Sequence, residues 1–203
     1  MFRVLFELVD DSKYRNSTRK MLDQEFNGYG YMKRVYGIEH MPDLATVVKL
    51  SITDTLTKAY SRIVFDSFVT EEIKQSIRYH APLTFIIFSI DGFKAINKEY
   101  GHLVGDQVLK ELADVVRKYI RTSDMLFRWF ADEFLIVTPH TDVNGAKKMV
   151  ESLAETISTH DFRTVGRLTC TFALLQFDGK NSDTKEIVLQ LEDRLEEHRS
   201  MRA

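Results

Sequence analysis

Three groups of polar side chains carry the residue types that metal and phosphate chemistry needs. The first is Asp91-Gly92-Phe93-Lys94-Ala95-Ile96-Asn97, continued by Tyr100-Gly101-His102 and Gly105-Asp106. The second is Arg128-Trp129-Phe130-Ala131-Asp132-Glu133-Phe134, and the third is Arg121-Thr122-Ser123-Asp124. Each adjoins a short apolar run and reads as a loop. Carboxylates from the first two groups, set side by side, could share a divalent cation and a phosphate-bearing ligand. A lone acidic residue on a loop is more often simply solvated, so it is the clustering that argues for a site.

The elements that must position these groups follow from apolar spacing. Phe65, Val69, Ile73 and Ile77 form an i, i+4 ladder, so residues 62–79 are predicted as a helix that Pro82 ends. The run 83–90 has the length and composition of a buried central strand. Val108, Leu112, Val115 and Tyr119 predict a helix over 105–120. Met125-Leu126-Phe127 and Phe134-Leu135-Ile136-Val137 form a hairpin whose turn, 128–133, carries charge. A helix over 142–158, a strand over 167–177 and a last helix around Val188, Leu191 and Leu195 complete the pattern. From residue 83 the order is β-α-β-β-α-β, a ferredoxin-like α+β sandwich whose helices are expected on one face of the sheet. Before Pro42 the signals are mixed. Phe2, Leu5, Leu8 and Val9 have helical spacing, Asn27-Gly28-Tyr29-Gly30 reads as a turn, and Asp43 could cap a short helix.

Composition narrows the classes. The chain has 203 residues, with 28 Lys+Arg against 30 Asp+Glu and a formal charge of −2. Near-neutrality removes the general electrostatic drive towards nucleic acid or anionic membranes. No apolar run reaches the roughly 20 residues that a bilayer span needs. Cys170, the only cysteine, excludes an internal disulfide and fits a cytoplasmic protein with a small core thiol.

The motifs in register resemble the GGDEF family, the diguanylate cyclases that condense two GTP into cyclic di-GMP. The resemblance rests on Asp54-Thr55-Leu56-Thr57 with Arg62, on Ile90 to Asn97, on Tyr100 to Leu109, and on Arg128 to Phe134 where the signature falls. It covers residues 51–203 and leaves 1–50 as an extension of unknown fold, or a remnant of an upstream sensory domain. The fold it implies is that of a nucleotidyl cyclase or polymerase palm, with a mixed, mainly antiparallel sheet and flanking helices. It implies Mg²⁺ held by Asp132 and the backbone carbonyl of Ile90, with Glu133 in support. It further implies GTP bound by Asn97, Asp106, Lys94 and Arg199, with Arg202 near the next basic position. Arg121 and Asp124 match the family's RxxD inhibitory site for cyclic di-GMP, for which Lys147, Lys148 and Ser152 are the nearest helpers. An arginine fork and a carboxylate suit the guanine edge.

The departures bear on activity. Ser89 replaces the aspartate that binds Mg²⁺ in the family, and a neutral hydroxyl is a poor ligand for a hard cation. Asp91 remains, but is expected on the other face of the strand, in a structural role. Phe130 and Ala131 replace the two signature glycines, so a ring stands where the family places GTP ribose and α-phosphate. Thr171-Phe172-Ala173 replaces another glycine-bearing segment.

The leading expectation is therefore a catalytically inactive, degenerate domain, with Asp132 and Glu133 vestigial, weakened Mg²⁺ binding and a regulatory or nucleotide-sensing role. Its expected partners are a guanine nucleotide (cyclic di-GMP or GTP), a second copy of the chain, and a protein or upstream sensory domain; nucleic acid and membrane insertion are not expected. Two alternatives stand beside it: a divergent active cyclase working as a homodimer, and a protein-interaction module that binds no nucleotide.

Overall fold

A computed structural model describes residues 52–180 and 182–201. The expected helix after Asp43, the signals before Pro42 and Arg202 lie outside the described residues. The elements are β1 (Tyr60–Ser61), a 3-10 turn (Arg62–Val64), α1 (Phe65–Tyr79), β2 (Leu83–Ile90), α2 (Phe93–Tyr100) and α3 (His102–Tyr119). They are followed by β3 (Met125–Phe130), β4 (Glu133–Pro139), α4 (Val143–Thr159), β5 (Cys170–Gln176) and α5 (Thr184–Ser200).

The sheet runs β1-β3-β4-β2-β5. β3–β4, β4–β2 and β2–β5 pair antiparallel, and β1 adds a parallel edge to β3, which makes the sheet mixed but mainly antiparallel. All eight residues of β2 are buried, which fits a strand with neighbours on both sides and helices above and below.

Helices cover both faces, not the one face expected. Phe85 and Ile87 on one side of β2 meet Phe65, Phe68, Val69 and Ile73 of α1 and Leu191 and Leu195 of α5. Ile86, Phe88 and Ile90 on the other side meet Leu109, Leu112 and Val116 of α3 and Leu153 and Ile157 of α4. The reason lies in β2 itself: its side chains are apolar on both faces, so a single helical layer would leave one row wet. α1 and α5, outside the β-α-β-β-α-β unit, supply the second layer.

Caps fix the ends. α1 stops at His80, in the left-handed region (φ 49°), whose N–H donates to the Ser76 carbonyl two residues before Pro82. Asp142 caps α4 by accepting from the Gly145 N–H at 2.7 Å. Thr184 donates to Asp66 at 2.7 Å, which ties the start of α5 to α1.

Two loop assignments need correction. Phe93–Tyr100 is a helix, broken from α3 only by Gly101 (φ 84°), so Lys94 and Asn97 sit on helical turns. Its eight residues bury only Phe93, too little apolar signal for periodicity to detect. Strand β3 also runs on through Phe130, so the signature turn is only Ala131-Asp132, with a bulge between Arg128 and Phe130.

Candidate functional site

The end of β2 and the signature hairpin lie side by side because Ser89 pairs with Glu133 across β2–β4 and with Thr171 across β2–β5. Ser89 is 1% exposed. Its Oγ accepts from Arg199 Nε at 3.0 Å, and Arg199 Nη2 donates to Glu133 Oε1 at 2.9 Å. Arg199 Nη1 reaches Glu196 Oε2 at 3.4 Å, one turn earlier on α5. Burial acts to lower the Arg199 pKa, but the bond and charge of Glu133 outweigh it and hold the guanidinium above its ordinary value.

Asp132 sits in the turn beside this group. Burial pushes its carboxyl above the usual carboxylate range, offset in part by the backbone N–H groups of Asp132 and Ile90 and by the charges of Arg199 and Lys94. Two cations therefore act on one half-buried carboxylate. Asp91 does not turn to the other face as expected: two residues on from Ser89 it shares that residue's side and borders the same cavity. There its carboxylate accepts from the Thr169 and Thr171 hydroxyls, both at 2.6 Å, and pins the end of β2 to β5. Ser89, Ile90, Asp91, Thr169, Thr171 and Arg199 line an open cavity of about 580 Å³.

This donor set does not fit a Mg²⁺ ion. The cation wants anionic oxygens, whereas position 89 offers a hydroxyl already accepting from a guanidinium, and that guanidinium also engages Glu133. Among the described residues no three His, Cys, Asp or Glu side chains gather to hold a metal.

The turn keeps the shape expected of glycine without having one. Ala131 has φ 44°, and Phe130 projects outward, 66% exposed. Arg128 clamps the turn, donating through Nε to the Ala131 carbonyl at 3.0 Å and through Nη2 to the same oxygen. Its Nη1 reaches Asp54 at 3.4 Å, and Asp54 also accepts from the Thr57 N–H at 2.8 Å and hydroxyl at 2.7 Å. Trp129 points to the opposite, buried side, stacks under Arg62 and donates to Glu192 at 2.7 Å. The Asp54–Thr57 segment is thus bonded to the signature turn, a link that spacing alone does not reveal.

Asn97 of α2 packs against Gly105 of α3, the chain neighbour of Asp106. A Cβ on Gly105 would fall 2.0 Å from Asn97 Oδ1, so the glycine makes room for this amide beside exposed Asp106.

In the RxxD segment, Asp124 accepts from the Arg121 backbone N–H at 2.9 Å, leaving the guanidinium free of that bond. Burial raises the Asp124 pKa, with the Arg121 N–H and charge and the Ser123 hydroxyl opposing. Lys58, Tyr60, Arg117, Arg121, Thr122 and Asp124 border a cavity of about 360 Å³. Among the described residues its basic helpers are Lys58 and Arg117, and Lys147, Lys148 and Ser152 are absent from the lining. Arg117 Nη2 donates to the Thr57 carbonyl at 2.6 Å, which sets the Lys58 loop beside α3, a link that sequence spacing does not disclose. A separate cavity of about 540 Å³, between α3 and the loop after α4, holds none of these groups.

A family model described as the GGDEF domain of diguanylate cyclases matches residues 51–200. Diguanylate cyclase DgcP of Pseudomonas aeruginosa is 30% identical over 135 residues, covering 65% of this chain and 20% of that protein. Diguanylate cyclase VdcA of Vibrio cholerae is 28% identical over 180 residues, 85% of this chain and 50% of that protein. The chain thus spans between a fifth and half of these two relatives. Among solved structures, diguanylate cyclase SiaD bound to its activator SiaC, from Pseudomonas aeruginosa, aligns with a TM-score of 0.70 at 22% identity, over 90% of this chain and 68% of that one. The GGDEF domain of DgcB from Caulobacter crescentus, in complex with cyclic di-GMP, aligns at 0.66 and 20% identity, over 71% of this chain and 88% of that one. At such identities these two likenesses speak for the fold. No helix among the described residues is long and apolar enough to cross a membrane.

Proposed function

The chain belongs to the GGDEF family, and from that membership we propose that it serves cyclic di-GMP signalling as a degenerate, catalytically impaired domain that senses nucleotide instead of making it. One observation carries this reading. The position of the metal-binding aspartate holds a buried hydroxyl bonded to Arg199, and the same guanidinium engages Glu133. Metal-assisted attack on GTP needs a carboxylate there. Phe130 in place of a glycine further reduces the space for ribose and α-phosphate.

In this reading Asp132 and Glu133 are vestiges, while Lys94, Asn97 and Asp106 remain suited to the phosphates and the guanine edge. Cyclic di-GMP binds at Arg121 and Asp124, supported by the cations of Lys58 and Arg117 that border the same cavity. Residues 1–50 form the input side of a cytoplasmic protein, and the domain at 51–203 works with a second copy or a protein partner.

Purified chain supplied with GTP and Mg²⁺ or Mn²⁺ is expected to form no cyclic di-GMP. Calorimetry with cyclic di-GMP is expected to show binding that Arg121→Ala weakens about tenfold or more, the scale of one charge-assisted bond. Turnover of GTP overturns the impaired reading. Binding of neither nucleotide turns it into the interaction module.

A second reading, the divergent cyclase, is favoured by one feature: the signature turn keeps its left-handed residue at Ala131. If it holds, Ser89→Asp with Phe130→Gly and Ala131→Gly raises a measurable basal rate sharply. An unchanged rate counts against it.

A further inference from the structure

The misfit between this centre and Mg²⁺ has a positive side. Arg199 stands in the last turn of α5, more than a hundred residues from β2 in the chain, yet it contacts both Ser89 and Glu133. A guanidinium carries five N–H groups in a planar fork and stays charged at any working pH. Among the described residues, Ser89, Glu133 and Glu196 engage three of them. The side chain also borders the 580 Å³ cavity, with the rim of β2 and two threonines of the β5 side opposite it. The charges of Arg199 and Lys94 both act on Asp132, so two cations converge where one divalent ion would otherwise balance the carboxylates. Bringing in Mg²⁺ would require Arg199 to leave Ser89 and Glu133, or would set two cations against each other in a half-buried pocket.

We infer that Arg199 takes the place of the divalent cation, so that this centre binds the polyphosphate of a nucleoside triphosphate through Arg199 and Lys94 without a metal. The inference rests on the family reading of the centre as a nucleotide site, and it adds the means by which phosphate is held. Arginine suits this role because its fork meets phosphate oxygens bidentately, whereas a hydrated Mg²⁺ demands near-octahedral oxygen ligands. Ser89 fits it too: a carboxylate at that position would pair with Arg199 and draw the guanidinium away from the ligand.

The test is calorimetry of GTP on the full chain, once in EDTA and once in excess Mg²⁺. The dissociation constants are expected to agree within about threefold, and Arg199→Ala to weaken binding about tenfold or more in both buffers, with Arg199→Lys in between. GMP, lacking the outer phosphates, is expected to bind about tenfold or more weakly than GTP. The double variant Ser89→Asp with Arg199→Ala restores the carboxylate and removes the guanidinium, so its GTP binding is expected to require Mg²⁺. Retained thermal unfolding of each variant certifies its fold, and the wild-type comparison of buffers needs no variant at all. Binding that needs Mg²⁺ in the wild type, binding indifferent to Arg199→Ala, a double variant still indifferent to metal, or no GTP binding in either buffer each overturns the inference. Cyclic di-GMP titrated on the same samples separates the two proposals: Arg121-dependent binding of that ligand leaves the sensing role standing even where the Arg199 role fails.

Discussion

Ala131 is an L residue in a left-handed conformation, φ 44°, held by Arg128. That conformation costs a residue with a Cβ roughly 1–2 kcal/mol, while glycine adopts it freely but loses more chain entropy on folding. Ala131→Gly is therefore expected to stabilise the chain by about 0.5–1 kcal/mol, read as a higher midpoint in urea at constant slope. A lower midpoint would mean that the turn is not held as described. Gly105 poses the reverse case. A methyl there lands 2.0 Å from Asn97 Oδ1, and the amide, the far end of a flexible side chain, can swing away. Gly105→Ala should cost about 1 kcal/mol of stability or less, yet lower GTP affinity about as much as Asn97→Ala does. An affinity left unchanged would remove Asn97 from the guanine site. At this scale the sequence was informative about residue type: the resemblance singles out Ser89, Asp132, Asp106 and Asp124 as candidates. It was silent on Arg199's bond to Ser89, because only folding brings the end of α5 to the end of β2.

Between elements, the key link joins the loop before β1 to the hairpin β3–β4. Asp54 receives two bonds from Thr57 and one from Arg128, which in turn holds the Ala131 carbonyl. Burial acts to raise the Asp54 pKa, but the Thr57 bonds and the Arg128 charge prevail and leave it below the ordinary aspartate value. For a carboxylate lowered in the folded state, the stabilisation is present above the unfolded pKa of about 3.9 and is lost as pH falls through the lower folded value. Asp54→Asn is thus expected to cost about 1–3 kcal/mol near neutrality, and that cost should shrink towards zero below about pH 4. A pH-independent difference, measured by urea unfolding from pH 3 to 7, would show that charge plays no part. The long strand and the helices over 65–79, 102–119 and 143–159 were legible because each carries a sustained apolar face. β1, with two residues, and α2, with one buried side chain, gave periodicity too little to work on.

For the whole molecule, the two layers share one sheet, and that decides how it unfolds. β2 contributes Phe85 and Ile87 to the layer under α1 and α5, and Ile86, Phe88 and Ile90 to the layer under α3 and α4. Neither layer keeps its floor if the other melts, so residues 52–201 are expected to unfold in one transition. Trp129, the single tryptophan, is 5% exposed between Phe65, Arg62 and Glu192, and so reports on the first layer alone. Far-UV circular dichroism is carried largely by helices of both layers. The two signals should give coincident urea curves. Leu191→Ala, at a site with no exposure on α5, should cost about 2–5 kcal/mol and shift both curves together. The same substitution loosens the helix that delivers Arg199 to Ser89, so GTP affinity in EDTA should drop even where the chain remains folded. Separate transitions, with fluorescence lost first, would instead make α1 and α5 an independent lid on the sheet, and Arg199 a group that leaves the centre without the rest of the fold.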